Sequence, residues 1–309
     1  MNLETDLLLD RRRLKRRLVF WRGLAVLALV AAVLSVTRAS WPGGEDGGAY
    51  VGRLSIDGII LDSRALAERV VALAKNEHAR ALIVSIDSPG GSVGGGENLY
   101  RALSLVADKK PVVVVMRGTA ASAGYMIAMP AARIFAREST ITGSIGVKLE
   151  TAEVSGLLRT LGVTAETFAS GPLKDQPSVM HPTSPAGRAV LQALITDMYD
   201  QFVEMVARGR HMEVAQVRQL ADGRAYSGRQ ALKLGLIDAI GGETEARAWL
   251  AEEKKILATL PVRDVATRGL GERLRDFGGE SLFGGLWKTL FSQRVTLDGA
   301  WAVWQPGEK

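Results

Sequence analysis

Two features of the sequence predict an α/β protein made of repeated parallel β-α-β units, and a third places a membrane helix in front of it. Short apolar runs at 81–86 and 112–116 alternate with helix-spaced segments at 63–75 and 97–107. Each run empties into a small-residue turn, Asp87-Ser-Pro-Gly-Gly-Ser-Val93 after the first and Gly118-Thr-Ala-Ala-Ser-Ala-Gly-Tyr125 after the second. Strand, turn, helix and strand at this pitch call for parallel neighbours, because a parallel connection needs a crossover long enough to hold a helix. The third feature is the uncharged stretch 23–37, which extends back through Arg22 to residue 18 and reaches the length of a bilayer span.

The N-terminal residues 1–17 form a basic segment. Arg11, Arg12, Arg13, Lys15, Arg16, Arg17 and Arg22 face only Glu4, Asp6 and Asp10, so +4 of the chain's net +6 sits in the first 22 residues. The remainder carries +2, too little for a basic patch that would bind nucleic acid. Residues 18–37 then read as a transmembrane anchor or as a cleavable signal sequence, with Thr37-Arg38-Ala39 as the cleavage site in the second case. Basic residues before the span and Arg38 after it put the N-terminus in the cytoplasm and the rest across the membrane. Residues 38–49, with Trp41-Pro-Gly-Gly-Glu-Asp-Gly-Gly48, form a glycine-rich linker.

A catalytic domain is expected over 50–245. Residues 50–61 read as a strand with a turn at Asp57-Gly58, and Leu66, Val70, Leu73 and Ala74 lay an apolar face on the helix 63–75. A long helix at 184–210 carries Leu191, Leu194, Ile195, Met198, Phe202 and Met205 on one side. Shorter helices follow at 214–221 and 228–235. Residues 246–309 form a C-terminal helix and tail, in which the apolar, glycine-interrupted 282–291 packs either on the body or a neighbouring subunit, or on a membrane surface.

With 47% apolar and 23% charged residues the body is globular. It has no cysteine, which excludes disulfides, thiolate catalysis and Cys-based zinc sites. His78, His181 and His211 are too scattered to suggest a metal site and read as exposed loop or helix-end residues. Nucleophilic chemistry therefore draws its base from a histidine or a lysine. The best-placed nucleophile is Ser122, at a turn where a buried strand feeds a helix start and leaves backbone N–H groups free for an oxyanion. Its surroundings depart from the Gly-x-Ser-x-Gly elbow, since Ala120 replaces the first glycine. Both small-residue turns fall at the carboxyl ends of strands, where ligands of parallel sheets bind.

Ile86-Asp-Ser-Pro-Gly-Gly-Ser-Val93, Ala120-Ala-Ser-Ala-Gly-Tyr125, Thr142-Gly-Ser-Ile-Gly-Val147 and Asp222-Gly-Arg-Ala-Tyr-Ser-Gly-Arg-Gln230 together resemble the signal peptide peptidase A family over about 50–242. The resemblance implies a Clp/crotonase-like fold and a Ser/Lys dyad with neither metal nor cofactor. It places the nucleophile on Ser122 and the general base on Lys174, within Ser170-Gly-Pro-Leu-Lys-Asp175. Free lysine titrates near 10.4, so a base working near neutrality needs a drop of about 3 pH units, which burial in an apolar pocket supplies. Ser144 would orient the lysine amine, cap the turn before an expected strand at 145–149, or both. The N–H groups of Gly91 and Ala123 would hold the oxyanion. The sequence departs from the family pattern at Ala123, often glycine there, and at Ala131-Ala132, where the family has an Ala-Asp pair.

The implied protein is a single-pass bacterial membrane serine endopeptidase whose catalytic domain faces the periplasm or cell exterior. It would cut apolar peptides such as released signal peptides. The short single-copy form further implies a homo-oligomer, in which either the fold itself or a neighbouring subunit brings the lysine to the serine. A crotonase-like acyl-CoA enzyme and a catalytically silent membrane scaffold are the competing readings.

Overall fold

A computed structural model of the chain describes residues 21–24, 27 and 48–265, and the backbone of 301–303. The chain divides into two compact units, one of 1–48 with 268–290 and one of 49–267 with 291–309. In the first, the described residues 21–24 and 27 are helical, and Trp21, Leu24 and Leu27 are exposed. The expected anchor at 18–37 lies largely outside the described residues, among which no helix is long and apolar enough to cross a membrane. The apolar segment 282–291 also lies outside them.

The second unit is a sheet with helices on both faces. Its elements run β1 (Tyr50–Asp57), α1 (Arg64–Lys75), β2 (Ala79–Ser88), β3 (Gly90–Ser92), α2 (Val93–Ala107), β4 (Val112–Ala121), α3 (Ala123–Met126), β5 (Arg133–Ala136) and β6 (Ile141–Gly143). They continue with α4 (Ser155–Thr160), α5 (Pro185–Arg210), α6 (Val214–Leu220), β7 (Ala225–Ser227), α7 (Gly228–Lys233), β8 (Ala239–Ile240), α8 (Glu243–Lys254), β9 (Val262–Asp264) and β10 (Trp301–Val303). The strand order is β7-β6-β4-β2-β1-β9, with β5 attached to β4 and β8 to β5. Strands β1, β2, β4, β5, β6, β8 and β9 pair in parallel, as the sequence predicts, whereas β7 runs antiparallel to β6 and makes the sheet mixed.

Alternation along the central strands builds two cores from one sheet. Leu54, Leu82, Val84, Ile86, Val112, Val114 and Met116 meet α1, α2, α3 and α5 on one face. Val51, Ala81, Ile83, Val113 and Val115 meet Ala246 and Leu250 of α8 on the other. Burial on both faces explains why 112–116 reads as an unbroken apolar run and 81–86 as one broken only by Ser85, rather than as alternating ones.

The structure moves some expected boundaries. Helix α2 begins at Val93 rather than near residue 97, because Ser92 caps it by accepting from the Gly95 N–H. The glycines that mask its start in sequence are there for packing: a Cβ on Gly95 would lie 2.7 Å from the Leu61 carbonyl carbon, and one on Gly96 3.1 Å from Ala123 Cβ. The strand expected at 145–149 is instead β6, at 141–143, where it pairs with the end of β4. In α5 only the C-terminal half is covered. Phe202 and Met205 are buried, while Leu191, Ile195 and Met198 are partly exposed and Leu194 is 45% exposed.

Candidate active site

The long strand β4 creates the site by having two partners on one edge. Its residues 113–116 pair with β5 and its residues 119–121 with β6. Thr140 and Thr142 hold the transition, their hydroxyls donating to the carbonyls of Arg117 (2.6 Å) and Ala120 (2.8 Å). The chain then turns sharply at Ser122, which has φ 54° and ψ −120°. That conformation is unfavourable for any residue with a Cβ and is the kind of strain that collects at functional positions. It persists because the surroundings over-determine it. The Ser122 N–H donates to the Gly143 carbonyl at 2.8 Å, and the Ser122 carbonyl accepts from Tyr125 and Met126 as α3 begins. The Ser122 side chain does not cap that helix, so its hydroxyl is not committed there. Ala123 follows as the first helical residue, whose N–H has no intrahelical acceptor.

Ser144 lies beside Ser122. Ala121 and Gly143 are register partners, so the residues after them adjoin at the carboxyl end of the sheet. Ser144 is buried, has φ 49°, and donates its N–H to the Arg224 carbonyl. Gly143, at φ 77°, must be glycine: a Cβ there would sit 2.6 Å from the ring of Tyr226, whose hydroxyl is tied to the Leu220 carbonyl. The motif at 222–230 thus backs the serine turn.

The glycine turn comes from β2. Ser88 is fully buried, and its Oγ accepts from the Gly90 N–H at 3.1 Å, closing the turn that leads into β3. Asp87 Oδ1 accepts from the Thr119 N–H at 3.0 Å and so ties this turn to β4. Arg117 adds an ion pair to Asp57. Gly91 lies so close to the Ile60 carbonyl that a Cβ would fall 1.8 Å from its oxygen. Helix α3 packs on β3, which brings the Gly91 backbone to the same end of the sheet as Ala123.

The structure therefore gathers Ser122, Ser144, Gly91 and Ala123. It leaves Lys174 apart. Lys174 is exposed on the segment between α4 and α5, its N–H donating to the Gly171 carbonyl, and no hydrogen bond joins it to Ser122 among the described residues. Next to it, Asp175 Oδ2 lies 2.6 Å from His181 Nε2. The Asp175 hydrogen bond raises the His181 imidazole above its usual value, and the same bond lowers the Asp175 carboxyl. His181, which reads from sequence as a plain loop residue, is thus a brace for the lysine segment. Leu157, Leu161, Phe168, Leu173 and Met180 around that segment are exposed, Phe168 by 93%. A cavity of about 700 Å³ at the opposite, amino end of the strands is lined by Lys75, Arg80, Lys109 and Lys110, among others, and is remote from the serine turn.

Sequence reasoning passed over Ser88, although it lies inside the glycine motif; a serine two residues ahead of a left-handed glycine is a turn-closing signal. It also missed β10, whose three residues are too few to show a period.

Comparison with known proteins places these residues in context. The profile of peptidase family S49 matches residues 104–257, and that of Clp protease matches residues 60–144. A Synechocystis protein described as a protease is 39% identical over 212 residues, covering 68% of this chain and 76% of that protein. An Enterococcus faecium protein bearing the name signal peptide peptidase SppA is 35% identical over 66% of this chain and 63% of its own length. The chloroplastic serine protease SPPA of Arabidopsis thaliana is 32% identical over 79% of this chain, which spans 34% of that longer protein.

Proposed function

This chain belongs to peptidase family S49, and on that premise we propose that it is a membrane-anchored serine endopeptidase with Ser122 as nucleophile and Lys174 as general base. The observation that carries the reading is Ser122 itself. A buried serine held at φ 54° between a strand and a helix, with an uncapped hydroxyl, has no structural need to be serine.

In the proposed reaction Ser122 Oγ attacks the scissile carbonyl while neutral Lys174 takes its proton. The tetrahedral oxyanion is met by the N–H groups of Gly91 and Ala123. Lys174 returns the proton to the leaving amine as the C–N bond breaks, and water then cleaves the acyl-enzyme by the same route in reverse. Ser144, which adjoins Ser122 at the end of the sheet, would orient the lysine amine.

Lys174 is exposed within one subunit and makes no hydrogen bond to Ser122 there among the described residues. We assign its partner serine to a neighbouring copy. The exposed Leu157, Leu161, Phe168 and Leu173 around the lysine segment support this, since a second subunit covering them would also strip water from the amine. Apolar peptides, released signal peptides among them, fit a site reached from a membrane anchor, with the catalytic domain on the outer side of the bacterial inner membrane.

Labelling by a fluorophosphonate probe tests the nucleophile. Wild-type protein is expected to label and Ser122→Ala to lose labelling while keeping its circular dichroism spectrum; labelling that survives Ser122→Ala would overturn the assignment.

A further inference from the structure

Parallel strands share a starting end, and in this sheet three helices finish there as well. Strands β1, β2, β4 and β9 begin at Tyr50, Ala79, Val112 and Val262, while α1, α2 and α8 close at Lys75, Ala107 and Lys254. The cavity of about 700 Å³ lies among these starts and stops, from Ala49 ahead of β1 to Leu260 ahead of β9. Its size is that of a small-ligand site. Helix C-termini carry a negative pole of about half a charge each, so a few cations here would serve the helices alone. The lining holds more than that: Lys75, Arg80, Lys109, Lys110, Lys254 and Lys255 stand against Glu77, a net +5. Three helix poles offset about 1.5 of it and leave about +3.5. The +2 of residues 23–309 conceals this concentration, because everything in them outside the lining sums to −3.

The cations are not spent on the protein's own carboxylates. Lys75, Arg80 and Lys109 make no ion pair and no side-chain hydrogen bond among the described residues. Lys110 turns inward, its Nζ donating to the carbonyls of Asn76 and, at 2.8 Å, of Ala79. Burial first and the Arg80 charge second lower its ammonium below the usual lysine value, a repulsion that a bound anion would relieve. The rest of the wall is apolar. Ile256, Leu257 and Leu260 line it, and Leu257 is 68% exposed. Free phosphate or a nucleic-acid backbone gains nothing from an exposed leucine, whereas a lipid offers phosphate to the lysines and acyl chain to the leucine. The course of the chain agrees with a lipid. Ala49 ends the linker 38–49, whose residues span at most about 40 Å and so tether this end of the sheet to the surface of any bilayer that holds 18–37.

We propose that this cavity binds the phosphate of an anionic phospholipid headgroup, docking the amino end of the sheet on the bilayer and leaving the serine turn at the other end of β4. The choice of a headgroup over free phosphate rests on the membrane anchor of the proposed function. The anion site itself does not.

The test places the full chain in nanodiscs of phosphatidylcholine, alone or with an equal part of phosphatidylglycerol, and reads acylation of each lysine by mass spectrometry. Beside phosphatidylglycerol, Lys75, Lys109 and Lys255 are expected to react about fivefold more slowly, the factor that one lysine's contact with an anionic surface supplies. Lys233, outside the cavity, is expected to be unchanged. In Arg80→Gln/Lys109→Gln the slowing at Lys75 and Lys255 is expected to be lost, while fluorophosphonate labelling at Ser122 and the circular dichroism spectrum stay as in wild type. Equal acylation in the two bilayers would overturn the site, as would full slowing retained in the double variant. Equal slowing by inorganic phosphate or a DNA duplex in neutral nanodiscs would overturn the headgroup assignment. Loss of the chain from neutral nanodiscs would remove the anchor reading, and slowed acylation on adding phosphatidylglycerol vesicles would still uphold the cavity.

Discussion

Ser122 holds a backbone conformation that costs about 1–3 kcal/mol in a residue with a Cβ and little in glycine. Replacing it with glycine adds chain entropy to the unfolded state, worth about 0.5–1 kcal/mol against folding. The strain is the larger quantity. Ser122→Gly is therefore expected to raise the unfolding free energy by about 1 kcal/mol while abolishing probe labelling. Calorimetry of the two proteins decides it, and a destabilised variant would mean that the Ser122 side chain contributes packing that outweighs the strain. The opposite holds at Gly91 and Gly143, where close approach to Ile60 and Tyr226 admits no side chain at all.

At the scale of elements, helix α2 shows how one run of glycines serves different ends. A methyl added to Gly94 would meet nothing within 4 Å, whereas Gly95 abuts the Leu61 and Asp62 backbone. Gly94→Ala is expected to stabilise by about 1 kcal/mol and Gly95→Ala to destabilise, a difference that denaturant titration of both variants measures. The same run explains where the sequence was opaque. Glycine weakens helical periodicity, so the start of α2 is hidden in sequence and set instead by close packing on 61–62 and Ala123. Strands β2 and β4 were legible because burial on both faces leaves long apolar runs. Strand β6, three residues long, and the antiparallel β7 gave no such run. Of the candidate site, the two turns and Ser144 were legible as motifs and are brought together by the sheet. The separation of Lys174 from Ser122 was not legible, because a loop's distance from a strand end depends on tertiary contacts that periodicity does not encode.

For the whole molecule, the fold is a Clp-protease-like α/β sheet of mixed direction, and within one copy Lys174, the proposed base, makes no hydrogen bond to Ser122 among the described residues. Ser122→Ala and Lys174→Ala proteins are each expected to lose at least about 1,000-fold in kcat, the scale on which a nucleophile or its base is lost. Unfolded and refolded together, they are expected to regain a measurable fraction of activity, because a mixed assembly restores intact serine–lysine pairs at some interfaces. Peptide cleavage by the mixture, set against each variant refolded alone, is the measurement. Absence of recovery, in mixtures that light scattering finds assembled, would place both residues of the dyad in one subunit.

The sheet is closed at its far side by β9, which pairs with β1 through Val51–Arg53 and is clipped there by the Arg53–Asp264 ion pair at 2.7 Å. Those two residues stand 211 positions apart. At a synthesis rate of about 5–20 residues per second, β1 leaves the ribosome roughly 10–40 s before its outer neighbour exists. Throughout that interval one flank of the sheet offers bare N–H and C=O groups to any passing strand. The growing chain thus has a window of vulnerability to mispairing, and it ends only when the last turn of the body has been made.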